Sequence, residues 1–367
     1  MKVMHIGCPY LPYKGGSTAR LLNLVSSLDF KTEGISQYLV TPTLSNDKSD
    51  DKYFESVYRV ENINALGFNR RFYNILREVD PDVIVTHNSK CLLNWLFFYR
   101  FKFKCVKVVN ELHSFREGGL LKLYINKVLY RLCDKLVCLS KSSKNYLSEN
   151  YNIKNSVVVY NGIESVQKVF PSKIYDPKSI TYAYVGSFHN WQGVNIIADS
   201  VIATGKDFWR KNSIYLVGNG PEYESIKAKL DNFSGGEVNI YTLGWQSKEK
   251  IDEIVSKTDL LLATRPSSTA TETVVPLKVV DSIDYLKPLV ATNVGGLEEL
   301  LVNSGKCAAF FIDKFNNESL LSFFKSPPTL QEYNKAKEQL SVAALNLPTW
   351  SDSAKVYISI YKSLVSK

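Results

Sequence analysis

Along this chain, short unbroken apolar runs alternate with longer stretches in which apolar residues recur every three or four positions. The runs "KVMHIG", "QYLVTP", "DVIVTH", "KVVNEL", "KLVCLS" and "SVVVYNG" are rich in β-branched residues and too short for helices. Runs of this kind, apolar on both faces, fill parallel strands covered by helices on either side. Stretches such as "STARLLNLVSSL" between them carry the helical period. The alternation restarts with "ITYAYVGSF", "SIYLVGNG", "VNIYTLGW", "DLLLATR" and "PLVATN". Two doubly wound α/β units are therefore expected, joined near the polar segment "SVQKVFPSKIYDPKS". A length of 367 residues also exceeds one comfortable core. The expected division is 1–165, 166–345 and a terminal segment 346–367.

In open α/β sheets ligands sit beyond the carboxyl ends of the strands, so the residues after each run are where chemistry is sought. After the first comes "CPYLPYKGGSTAR", where Gly15 and Gly16 precede Ser17 and a helix. Glycines there admit a ligand to the backbone, and a helix start favours an anion; a tight turn with an N-cap explains them equally. The spacing is not GxGxxG, which argues against a dinucleotide dehydrogenase. His87 follows the third run and His113 the fourth, each placed to donate to a sugar hydroxyl or to serve as an ordinary polar loop residue. In the second half, "VGSFHNWQG" and "VGNGPE" bring Gly186, Ser187, Gln192, Gly218, Asn219 and Gly220 to strand ends.

The stretch "LLATRPSSTATETVVPLKVVDSIDYLKPLVATNVGG" reads as a strand, a long Ser/Thr-rich loop, a helix entered at Pro276 with Leu277 in its first turn, and a strand ending at Thr292. A helix mouth offers free N–H groups and partial positive charge, and Lys278 adds a full one. Together they describe a diphosphate site. Asp281, one turn further in, can accept from the vicinal hydroxyls of a ribose, although a capped helix with a favourably placed carboxylate would look the same.

Composition narrows the classes. Hydrophobic content of 45% and charged content of 22% describe a soluble globular chain. Its six cysteines form neither a CxxC pair nor a metal-ligand spacing, which suits a reducing compartment. The N-terminus fits neither a secretory signal nor a membrane span, so a cytoplasmic protein is expected. The net charge of +9 is uneven: residues 1–165 carry +8 and the remainder +1. The excess concentrates in "RFKFKCVKVVNELHSFREGGLLKLYINKVLYRLCDKL", with aromatic and leucine residues interleaved. Leu121, Ile125, Val128 and Leu132 make a helical stripe, expected first of all to pack on its own sheet, with contact to an anionic membrane or a lipid substrate as the functional reading. No nucleic-acid motif is present.

The ordered set "GG", "ELHSF", "LVCLSKSS", "VVYNGIE", "YVGSF", "WQG", "LVGNGPE", "LGW", "PLKVVDSIDYLKPLVATNVGGLEELL" and "LPTWSDSAKVYISIYKSL" resembles the retaining GT-B glycosyltransferases of glycosyltransferase family 4 over essentially the whole chain. The resemblance implies two Rossmann-like domains facing a cleft, the first binding acceptor and the second a nucleotide-sugar donor, UDP- or GDP-linked, without a metal or other cofactor. The segment containing Trp350 would cross back onto the first domain. The family's second glutamate falls on Asp281; its first falls on Thr273, with Glu272 displaced by one. Its two diphosphate cations become Ser187 and Gln192, for which Lys278 would compensate. His113 matches the histidine facing the donor sugar, and Gly15 and Gly16 the loop over the phosphates.

The implied reaction is hexose transfer to a hydroxyl with retention, by attack from the face the diphosphate leaves, with His113 and Lys278 as catalytic residues. A lipid-linked glycan acceptor, at the inner face of the cell membrane and in building a bacterial surface polysaccharide such as O-antigen or capsule, suits the basic aromatic face. Competing readings are a glycosyltransferase-like binding subunit without turnover and a nucleotide-sugar epimerase of the same fold.

Overall fold

The computed structural model describes residues 1–13, 15–43, 48–115, 118–164, 174–303, 305–313 and 317–366. The chain divides into two compact units, Met1–Gly162 with Pro348–Lys367, and Ile163–Leu347. The boundary read between 165 and 166 lies in 165–173, outside the described residues.

In the first unit the strands are β1 (Lys2–Ile6), β2 (Ser36–Thr43), β3 (Lys48–Ser49), β4 (Ser56–Glu61), β5 (Val83–Thr86), β6 (Lys107–Leu112), β7 (Lys135–Cys138) and β8 (Ser156–Val158). They form one sheet in the order β3-β4-β2-β1-β5-β6-β7-β8, parallel throughout except where β3 meets β4. Each apolar run identified above became a strand. Val3, Met4, Val83, Ile84 and Val85 are fully buried because helices cover both faces of the sheet's centre. Strand β4, "SVYRVE", was not identified from the sequence, because Arg59 interrupts its apolar pattern.

The second unit contains β9 (Thr181–Val185), β10 (Ser213–Val217), β11 (Ile240–Leu243), β12 (Leu260–Ala263), β13 (Leu289–Thr292), β14 (Val302–Asn303), β15 (Lys306–Cys307) and β16 (Ala309–Ile312). Six of these make a parallel sheet in the order β11-β10-β9-β12-β13-β16, and β14 with β15 makes a separate antiparallel ribbon. Strand order reverses at β1/β5 in the first sheet and at β9/β12 in the second, the positions where loops diverge and leave a crevice.

The last helix, Trp350–Val365, belongs to the first unit. A capping box between Thr349 and Asp352 starts it, and Ser353 Oγ donates to the Tyr160 carbonyl at 3.0 Å. Trp350, Tyr357 and Tyr361 are buried along its inner face. Gly162 permits the contact, since a Cβ there would stand 2.2 Å from the Trp350 nitrogen.

Three local expectations are corrected. The helix Leu120–Arg131 forms, but Leu121, Ile125, Val128 and Leu132 face outward, while Leu123, Leu129 and Tyr130 meet the core. Periodicity reports that a helix has a face; it does not report what covers it. The Ser/Thr-rich loop contains a short helix, Thr269–Thr273, closed by a capping box between Ser268 and Thr271. The first helix runs Gly16–Ser26 with Gly15 as its N-cap, so it begins one residue before Ser17. Among the described residues no helix is long and apolar enough to cross a membrane.

Candidate functional site

Each unit gathers polar side chains at its switch point. In the first, Arg20 projects from helix Gly16–Ser26 into the protein, 2% exposed, and its Nε donates to Glu111 Oε1 at 3.1 Å. Glu111, next to last in β6, is equally buried. Nη1 of Arg20 reaches Asn161 at 2.8 Å, and the Tyr357 hydroxyl donates to Glu111 Oε2. Burial pushes the Glu111 carboxyl up, but Arg20 and then His113 outweigh it and hold the group well below the usual carboxylate range. A buried charge is tolerable only when paired and hydrogen-bonded in this way.

Three histidines continue the cluster. Nδ1 of His5 is 3.0 Å from Nε2 of His87, and Nε2 of His5 is 3.1 Å from Gln37 Oε1. Burial, then the neighbouring His87, lowers the His5 pKa to about 3, and burial lowers that of His87, so both rings are neutral near pH 7. With the Gln37 oxygen assigned to the His5 side, the proton positions follow by elimination. His5 donates from Nε2 to Gln37 and accepts at Nδ1; His87 therefore donates from Nε2 and carries a lone pair on Nδ1. That lone pair faces His113 Nε2 at 3.2 Å, and His113 Nε2 lies 2.9 Å from Glu111 Oε1. His113 then carries a proton on Nε2, pointing inward between His87 Nδ1 and Glu111.

His87, Glu111 and His113 are also the group, among the described residues, whose ligand atoms could hold a metal, all lying within 4.8 Å of one another. A cation there would displace the inward proton of His113 and meet the Arg20 guanidinium on the same carboxylate oxygen. The set fits a closed hydrogen-bond network better than a metal centre. Gly15, extended at φ −167°, caps the first helix with Gly16 as its first residue; a Cβ on Gly15 would strike the Tyr13 ring at 2.8 Å.

In the second unit the mouth of helix Leu277–Asp284 lies beside the loop after β9. Pro276 is the N-cap and gives no side-chain cap. Lys278 sits in the first turn with its stem half-buried and its ammonium buried, without a hydrogen-bond partner among the described residues. Its Nζ lies 4.0 Å from the centre of the Tyr184 ring, and a Cβ on Gly186 would approach it to 3.2 Å. Burial, then Arg265, holds Lys278 well below the usual lysine range, with Asp281 opposing. Asp281 is exposed one turn along, and Leu277 is half-buried at the first position.

The remaining predicted residues divide. Gly218, at φ +136°, makes room for protein: a Cβ there would lie 1.8 Å from the Gly186 carbonyl oxygen. Gly220 likewise faces the Phe188 backbone. At both positions a side chain would collide with the loop after β9, so glycine is required for loop packing. Asn219 is exposed, and its carbonyl accepts from Phe188 N at 2.9 Å. Ser187 is half-exposed and its carbonyl accepts from the Tyr184 hydroxyl. Gln192 is buried with Oε1 unpartnered among the described residues. Thr273 turns its hydroxyl to the Thr269 carbonyl at 2.7 Å. The adjacent Glu272 is half-exposed, accepting from Ser267 Oγ and from Gly295 N, both at 2.6 Å.

Sequence reasoning passed over Glu111 and Arg265, as it did Arg20, His5, Gln37, Asn161 and Tyr357. Glu111 was read as part of a strand, and Arg265 as the end of "DLLLATR". A charged residue closing an otherwise apolar strand was the available signal, because a buried charge needs a reason to be there.

Comparison with known proteins agrees with this architecture. The model of Glycosyltransferase Family 4 matches residues 14–166, and that of Glycosyl transferases group 1 matches residues 179–322. An uncharacterized glycosyltransferase of Methanocaldococcus jannaschii, MJ1069, is 25% identical over 97% of both chains. Among solved structures, sucrose-phosphate synthase of Thermosynechococcus elongatus superposes with a TM-score of 0.78 at 12% identity, covering 100% of this chain and 99% of that one. Anabaena Alr3699/HepE in complex with UDP and glucose gives 0.75 at 15% identity, covering 99% and 100%. With two parallel α/β sheets, each opening at a switch point, and family models matching both halves in order, the chain belongs to the family 4 glycosyltransferases of GT-B fold.

Proposed function

We propose that this glycosyltransferase moves a hexose from a UDP- or GDP-sugar to a hydroxyl of a lipid-linked glycan with retention at the anomeric carbon. The observation that carries the donor half is Lys278: a buried amino group at a helix mouth beside Gly186, without a hydrogen-bond partner among the described residues, suits an anion. Diphosphate chemistry suits it, and the complex of the Anabaena protein with UDP supports the choice of ligand. Asp281 is assigned to the ribose and Glu272, held by Ser267 and Gly295, to the sugar hydroxyls.

In this reading the departing phosphate takes the acceptor's proton, so catalysis is positioning plus stabilisation of the leaving negative charge. Lys278 and the helix N–H groups provide that charge, without a resident metal. His113, its Nε2 proton held inward by His87 and Glu111, is assigned to the donor sugar. The acceptor half rests on the outward face of helix Leu120–Arg131, where Leu121 and Tyr124 are 73% and 66% exposed beside Lys122 and Arg131. Apolar residues ringed by basic ones match an anionic membrane, the place where a lipid-linked acceptor for a surface polysaccharide would be found.

The test is a thermal-shift series with UDP, GDP, CMP and their sugar conjugates, without added metal. One nucleoside diphosphate is expected to raise the melting temperature, since a ligand bound only by the native state adds RT ln(1 + [L]/Kd). Anomeric configuration of the product, read by NMR, then settles retention. No shift with any of them would overturn the donor reading and favour a binding subunit without turnover.

A further inference from the structure

The residues following β9 and β12, the two strands at which the second sheet reverses its order, are Gly186–Ser187 and Thr264–Arg265. Arg265 is 3% exposed. Its Nη1 donates to the Val274 carbonyl at 2.8 Å, its guanidinium lies 5.9 Å from the Trp191 ring, and its Nε has no hydrogen-bond partner among the described residues. The turn Asn190–Gln192 is pressed onto this strand end, for a Cβ on Gly193 would lie 1.6 Å from the Thr264 carbonyl oxygen. Four buried polar atoms without partners among the described residues therefore collect around one switch point: Arg265 Nε, Lys278 Nζ, Gln192 Oε1 and His189 Nδ1.

Two cations buried together repel each other and forgo hydration. The nearby carboxylates do not resolve this. Glu272 acts on Arg265, but its oxygens accept from Ser267 and Gly295; Asp281 acts on Lys278 from an exposed position. A small dianion would satisfy both donors at once, with the arginine fork giving direction and the lysine a point charge.

We propose that Arg265 is the second cation of a diphosphate seat whose first cation is Lys278. This rests on the donor reading above and extends it: the chain supplies from the end of β12 and from helix Leu277–Asp284 the two positive charges that are missing at Ser187 and Gln192. The groups facing Lys278 are Tyr184 from β9, Arg265 from the loop after β12, and Asp281 from its own helix. An anion entering among them offsets the desolvation and the repulsion from Arg265 that act on the lysine.

The experiment is calorimetric titration of the full chain with inorganic pyrophosphate, UDP and GDP, each nucleotide compared with its nucleoside. Arg265→Gln and Lys278→Met are each expected to weaken diphosphate binding about 10- to 100-fold, the range of a charged hydrogen bond, and to leave nucleoside binding unchanged. Should Arg265→Gln not fold, Arg265→Lys keeps the charge without the fork and is expected to bind more weakly than wild type. Lys278→Met should melt higher than wild type when ligand-free, which a merely structural lysine would not do. Diphosphate affinity lost with Lys278→Met but unchanged in the arginine variants would overturn this inference and leave the donor reading standing. Failure of the wild type to bind any of the three would overturn both.

Discussion

At the scale of single residues, the sequence placed a histidine at each of two strand ends but not the proton on either. His5 and His87 are neutral because burial removes water from the charged form, and their neutrality orders the donors from Gln37 to Glu111. The pH dependence follows. A histidine whose folded pKa lies below its unfolded value of 6.5 contributes stability that is complete above 6.5 and is lost as pH falls towards the folded value, about 3 for His5. His5→Gln cannot be protonated and keeps one hydrogen-bonding group. Its expected cost at pH 7 is about 1 kcal/mol, with a shallower decline in urea-unfolding stability between pH 6.5 and 4.5 than wild type. Equal slopes would show that His5 is already charged in the native protein. Glu111, Arg265 and Lys278 share one lesson: burial makes their charge informative, and burial is not written at a position.

At the scale of elements, continuous apolar runs were legible because a strand covered on both faces admits little else. Strand β4 and helix Thr269–Thr273 were not, the first because Arg59 breaks its pattern and the second because hydroxyl residues suit caps and loops equally. Helix Leu120–Arg131 had the right period and the wrong partner. Its core contacts come through Leu123, Leu129 and Tyr130, and Arg100 Nη1 bonds the Leu132 carbonyl at 2.8 Å, bringing the exposed Phe101 and Lys102 segment alongside. Replacing Leu121 and Tyr124 with serine, or Lys102, Lys104 and Lys107 with glutamine, is expected to reduce sedimentation with phosphatidylserine vesicles, each lysine contributing on the order of 1 kcal/mol. Unchanged binding, or none in the wild type, would return this face to ordinary protein surface.

At the scale of the whole molecule, the chain leaves the first unit after Gly162 and re-enters it at Pro348. The Tyr357 hydroxyl then reaches Glu111 across 246 residues of sequence. Tyr357→Phe keeps the ring and withdraws one donor from a buried carboxylate, an expected loss of about 1–3 kcal/mol in denaturant unfolding. A neutral result would mean that Arg20 and His113 satisfy Glu111 without it. Nothing local in "SAKVYISIYK" announces this partner.

What the sequence determined by itself is whatever depends on neighbours in the chain: strand and helix types, the two-unit repetition, the glycine and proline positions, and the ordered motifs of the family. The tertiary structure decided which charges are buried and who answers them. That is why Arg265 is found buried beside Lys278 and the Thr273 hydroxyl is found on the Thr269 carbonyl. Periodicity and capping act over a few residues, whereas the free energy of a charge is set by everything within several ångströms of it, from strands brought together only by folding.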